Sequence, residues 1–181
     1  MGKSAGALSV ALVLAAAAGW AFAEFKNAPE VRLSDLDGNQ VTLTYAQSRL
    51  TLVNFWATWC LPCREEIPDI ARLHSEFNQR GFRAVGVALE SGGREEVMEF
   101  LRKHPEFGVN YTMLMGSDAT IDDFGGIEIV PTTLLVDSEG AVVDTFLGVN
   151  PEFHKKVGKA IREFLDLPAK PEEPGGPGSN P

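Results

Sequence analysis

Leu52-Val53-Asn54-Phe55-Trp56-Ala57-Thr58-Trp59-Cys60-Leu61-Pro62-Cys63-Arg64-Glu65-Glu66-Ile67-Pro68 is the stretch from which the rest of the chain can be placed. Residues 50–56 are β-rich and almost continuously apolar, as expected of a central strand covered on both faces. After the cysteines, Ile67, Ile70, Ala71, Leu73 and Phe77 recur at helical spacing until Gly81, and Pro68 inside this run is expected to kink the helix. Cys60 and Cys63 are the only two cysteines of the chain. Two thiols at this spacing on a first helical turn can form one disulfide that opens and closes while the fold stays in place. That is the layout of electron-pair transfer between thiols and disulfides. A purely structural staple is disfavoured, because so short a loop constrains the unfolded chain very little and a domain of this size can build its own core.

Working outward, residues 31–43 read as a β-hairpin turning at Asp37-Gly38. Residues 82–89 return to strand character, and Gly92-Gly93 breaks the chain. Val97, Phe100 and Leu101 mark a short amphipathic helix ending near His104-Pro105. Residues 109–114 are a further strand, and 118–124 a short helix with Asp118 as its cap. Residues 132–136 and 141–146 form a second hairpin across Asp137-Ser138-Glu139-Gly140. Pro151 opens a last helix with Val157, Ile161, Phe164 and Leu165 on one face. This order implies an α/β domain whose mixed sheet is covered by helices.

The two ends differ from this middle. In residues 1–23 a single Lys3 precedes an Ala/Leu/Val-rich run that closes on Ala21-Phe22-Ala23. The pattern is that of a secretory signal peptide cleaved after Ala23, with an uncleaved N-terminal anchor as the alternative. Either way the protein is expected to be exported, periplasmic or otherwise extracytoplasmic. Residues 24–167 form the domain. Residues 168–181, rich in Pro, Gly and Glu, read as a disordered tail. A formal net charge of −9 and the lack of a Lys/Arg cluster argue against nucleic acid as a partner.

The quoted stretch resembles the active-site strand and helix of thioredoxin-like proteins. It is most similar to the exported TlpA/ResA-like branch, whose pattern runs W-C-x-P-C-R-x-E-x-P. Val130-Pro131-Thr132-Thr133 matches a second signature, a proline before the penultimate hairpin. The resemblance extends over about residues 31–167. It implies a thioredoxin fold, a central mixed sheet flanked by helices, with an extra N-terminal β-hairpin and an inserted helical segment at 91–109. It implies a thiol-disulfide oxidoreductase needing no cofactor and no metal, with protein thiols and disulfides as clients and a membrane thiol-relay protein as electron donor. It further implies that Pro131 is cis and lies against the cysteine pair.

On this reading Cys60, at the helix N-terminus, is the exposed nucleophile and Cys63 the shielded resolving thiol. Glu90, at the end of the 82–89 strand, is the candidate to take the proton of Cys63. Pro62 fixes the turn between the cysteines, and Trp59 packs against the pair and shields it. Arg64 could add some thiolate stabilisation but reads as a solvated helix-start residue, and Glu66 matches the family's motif, which a solvated helix face explains equally well. With no His between the cysteines, Leu61-Pro62 predicts a potential on the order of −250 mV, nearer thioredoxin than the roughly −120 mV of strong oxidants of the DsbA type.

Two other functions compete. A structural zinc site needs four ligands, and His74, His104 and His154 have no ligand spacing to the cysteines. Two thiolates suffice for Cu(I), so a copper-handling or copper-centre assembly role is the first alternative. A thiol peroxidase is the second, although its peroxidatic cysteine follows a threonine at three residues, whereas Thr58 stands two before Cys60. Among clients, apocytochrome c thiols in cytochrome c biogenesis are one option within the resembling branch.

Overall fold

A computed structural model describes residues 26–166; the expected signal peptide or anchor and the expected tail lie outside the described residues. The fold is built on one seven-stranded sheet. Its strands are β1 (Val31–Asp35), β2 (Gln40–Leu43), β3 (Leu50–Trp56), β4 (Phe82–Ala88), β5 (Thr112–Met115), β6 (Thr132–Asp137) and β7 (Val142–Leu147), in the order β2-β1-β5-β4-β3-β6-β7. β3, β4 and β5 run parallel to one another, while β1–β5, β1–β2, β3–β6 and β6–β7 pair antiparallel.

β3 is buried along its whole length because it lies between β4 and β6 with apolar matter on both faces. Leu50, Leu52 and Trp56 enter one core cluster and Val53 and Phe55 the other, as the two-residue period of a strand requires. The first cluster includes the buried faces of α1 (Leu61–Phe77) and α4 (Phe153–Asp166). Gly158 allows these helices to approach: a Cβ there would stand 3.1 Å from Leu73 Cδ2. The second cluster gathers Val31, Leu33 and Leu43 of the N-terminal hairpin with Phe124 and Ile127.

The N-terminal hairpin and the inserted segment are both present. Asp35 organises the hairpin turn by accepting from the backbone N–H groups of Asp37 and Asn39 at 2.9 and 2.8 Å. The insertion between β4 and β5 holds α2 (Arg94–Lys103) and a 3-10 turn at Pro105–Phe107. The second hairpin forms as expected, with Asp137 accepting from the backbone of Glu139 and Ala141 at 2.9 Å each.

Several details depart from expectation. The strand expected over 109–114 is Thr112–Met115, displaced toward the residues that register with β4 and β1. The short helix α3 (Asp118–Asp123) is capped by Ser117 rather than Asp118, with Thr120 Oγ1 accepting the Ser117 N–H at 3.1 Å. α4 begins at Phe153 rather than Pro151.

Candidate active site

The chain leaves the buried end of β3 through Ala57-Thr58-Trp59 and turns directly into α1. This corner is held by neighbours from three elements. The Cys60 N–H bonds Ala57 O at 3.1 Å. The Thr58 N–H donates to Ser91 Oγ at 3.1 Å, and Ser91, itself buried, donates to Leu89 O at 2.8 Å. The Thr58 carbonyl takes both Arg64 Nε (2.9 Å) and Nη2 (2.7 Å), and the same guanidinium lies 5.0 Å over the Phe100 ring of α2. Arg64 is therefore not a solvated helix residue: it ties the inserted helix to the loop that carries the cysteines.

Cys60 occupies the N-cap of α1, and its Sγ accepts the Cys63 backbone N–H at 3.2 Å. An N–H aimed at that sulfur, at the positive end of a helix, stabilises a thiolate there once the pair is reduced. In this structure Cys60 and Cys63 are joined in a disulfide, with Cα atoms 5.3 Å apart. Cys63 is wholly buried, as expected. Cys60 keeps only 4% of its surface, less than the openly exposed sulfur expected of it. The reason is the 129–131 loop, whose Val130 oxygen lies 3.7 Å from Cys60 Sγ.

The Val130-Pro131 peptide is cis. The loop is fixed by Thr132 Oγ1 donating to Ile129 O (2.8 Å) and by the Gly148 N–H donating to Pro131 O (2.8 Å). Beneath it, Asn54 Nδ2 donates to Thr133 Oγ1 at 2.9 Å, a buried bond between β3 and β6. Pro62 sits in the first turn of α1, between the two cysteines.

Trp59 is 60% exposed, so it forms a projecting wall beside the pair rather than packed core. Its indole Nε1 donates to the Glu90 carbonyl at 2.9 Å, and Glu90 takes a positive φ of 44°. Leu61, Ile129 and Val149 are also exposed at this end of the molecule.

Glu90, the expected proton acceptor, is not the buried carboxyl of this site. Its side chain is exposed, and its contact with the site is made by the main-chain oxygen. The buried carboxyl is Glu66, 5% exposed, one helical turn beyond Cys63 on the inward face of α1. Its Oε2 has no hydrogen-bond partner among the described residues. Burial pushes its pKa up to about 8, and the charge of Asp69 adds to the shift. Burial, with a contribution from Glu66, also raises the Tyr111 phenol. The sequence left Glu66 open between a motif residue and a solvated helix face, although the signal for burial was there: Cys63, Glu66, Ile67, Ile70, Leu73 and Phe77 share one helical face, and a carboxyl on that face must enter the core.

Among the described residues no group of three or more His, Cys, Asp or Glu is placed to hold a metal ion, and no helix is long and apolar enough to cross a membrane. What the arrangement can do chemically is exchange disulfides at Cys60, with Cys63 behind it.

Known proteins agree with this chemistry. A family model described as Redoxin matches residues 24–161. The chain is 29% identical over 153 residues to the thiol-disulfide oxidoreductase ResA of Bacillus subtilis, covering 84% of this chain and 79% of the relative. It is 29% identical over 145 residues to the thioredoxin-like protein YneN of the same organism, covering 80% and 79%. The crystal structure of a thiol:disulfide interchange protein of the thioredoxin family from Chlorobium tepidum superposes with a TM-score of 0.66 at 28% identity, over 79% of this chain and 98% of that one. The chain belongs to the Redoxin family and is a ResA-like thiol-disulfide oxidoreductase of the thioredoxin superfamily.

Proposed function

We propose that the protein works outside the cytoplasm as a reductant of protein disulfides, exported by its N-terminal segment and recharged by a membrane thiol-relay protein. The observation that carries this reading is the Cys60–Cys63 disulfide at the start of α1, with Val130-Pro131 against its outer sulfur. In the reduced protein the Cys60 thiolate attacks a client disulfide. A Cys60–client disulfide forms and one client thiolate leaves. Cys63 then attacks the Cys60 sulfur, the second client thiolate leaves, and the bond present in this structure closes. Two electrons pass to the client.

Cys63 must lose a proton in the second step. The ionised form of Glu66, one helical turn beyond Cys63, takes it: a pKa of about 8 makes that form a minority at neutral pH but a stronger base than an exposed carboxylate. Trp59, Leu61, Ile129 and Val149 give a client an apolar landing surface around the pair. Apocytochrome c thiols awaiting haem are one client class consistent with this use.

Cys63→Ser tests the mechanism. Dithiothreitol-reduced Cys63→Ser protein, expressed with its own export segment, should accumulate client proteins in reducible mixed disulfides, identified by mass. Cys60→Ser should accumulate none. Equal trapping by both variants would overturn the assignment of Cys60 as the attacking thiol.

A further inference from the structure

Beside Cys60 a groove of about 260 Å³ opens between the Trp59 wall and the 127–130 loop. Its apolar lining includes Trp59, Ile121, Ile127 and Val130, and its only charged lining residues are Glu90 and Glu128. Both carboxylates are exposed, and no ion pair engages either of them among the described residues. Asp122 and Asp123 follow Ile121 at the exposed end of α3 and extend the acidic border. The asymmetry reaches further: between Lys103 and Lys155 the sequence has no Lys or Arg but nine Asp and Glu residues, at 106, 118, 122, 123, 128, 137, 139, 144 and 152. That segment supplies α3, the 127–130 loop and the β6–β7 hairpin. The groove wall is also fixed in place, since the Trp59 indole is hydrogen-bonded to the backbone of Glu90.

We infer that this groove selects clients, taking an extended cysteine-containing segment with a bulky apolar residue beside one or more Lys or Arg. The apolar residue leaves water in the groove. The cation meets Glu90 and Glu128, where unpaired carboxylates on a low-dielectric wall attract it and repel acidic segments. The inference rests on the disulfide-reductant reading and names the substrate class of that same site.

The test uses the full chain reduced with dithiothreitol and freed of reductant. The substrates are short peptides whose single cysteine is held as a mixed disulfide with thionitrobenzoate. Exchange cleaves that bond, releases both thiols and oxidises the protein to the Cys60–Cys63 disulfide, and the coloured thiolate reports the rate. One peptide has Leu-Lys-Lys next to cysteine, a second Leu-Glu-Glu and a third Ser-Lys-Lys.

At low ionic strength the first should react on the order of tenfold faster than the second, and the difference should shrink in high salt. The first should also outpace the third. The ratio of the first two rates is the readout, so that changes in general reactivity cancel. The double variant Glu90→Gln with Glu128→Gln should bring this ratio close to one, while Glu152→Gln with Glu163→Gln, the same change in net charge at the start of and within α4, should leave it high. Equal rates on the first two peptides, or an equal fall of the ratio in both double variants, would overturn the groove as the selector. Equal rates on the first and third would remove its apolar component. No reaction with any peptide would overturn the reductant reading, and this inference with it.

Discussion

Cys60 Sγ stands 3.7 Å from the main-chain oxygen of Val130, 70 residues further along the chain. The contact joins the β3–α1 corner to the loop that opens β6, so that one sulfur lies at the meeting of two segments held by separate networks. Arg64 and Ser91 hold the first, and Thr132, Gly148 and Asn54 hold the second. Trp59 and Ile129, both exposed, line one groove with Val130 next to this meeting point.

Glu66 makes stability depend on pH. Its carboxyl is neutral up to about pH 8 in the folded oxidised protein but ionises near pH 4.5 when unfolded. Between these values the folded state binds more protons, so its stability is complete below about pH 4.5 and falls as the pH rises toward 8. Glu66→Gln keeps the neutral shape and should abolish that fall, leaving the variant more stable at pH 9 by on the order of a few kcal/mol. Urea denaturation of both oxidised proteins from pH 5 to 9 measures it, and parallel curves would contradict the assignment.

Arg64→Met removes the two bonds to the Thr58 carbonyl and the stack on Phe100. The expected loss is about 1–3 kcal/mol, read from the urea midpoint. Arg64→Lys should restore only part of it, since an ammonium lacks the planar fork that reaches one oxygen with two donors.

Redox equilibration with a dithiothreitol or glutathione buffer should place the Cys60–Cys63 couple on the order of −250 mV. Leu61→His should shift it toward less negative values, because a cation beside the N-cap favours the Cys60 thiolate and hence the reduced form. A wild-type value above about −150 mV would identify an oxidant instead.

Gly86 lies in β4 where a Cβ would come 2.5 Å from Met113 Sδ and 3.2 Å from Trp56 Nε1. Gly86→Ala should therefore destabilise by about 1–3 kcal/mol even though alanine suits a strand no worse than glycine. Thermal unfolding followed by tryptophan fluorescence would show it.

The primary structure alone determined the elements near the cysteines and the reaction class. Cys60 and Cys63 are local in the chain, so their spacing on a helical turn decides that they can bond, and the all-apolar run of β3 marks it as the central strand. The N-terminal hairpin and the insertion were legible for the same reason, since Asp37-Gly38 and Gly92-Gly93 act on their immediate neighbours. Tertiary structure decided which carboxyl is buried, which way Arg64 turns and what covers Cys60. Glu66, Glu90 and Arg64 are all ionisable and unremarkable as letters. Their roles depend on α1 packing against the sheet, on α2 presenting Phe100 and on the 129–131 loop arriving from far along the chain. Burial, which sets the ionisation of Glu66 and the access to Cys60, is a property of contacts distant in sequence, and residue spacing does not encode it.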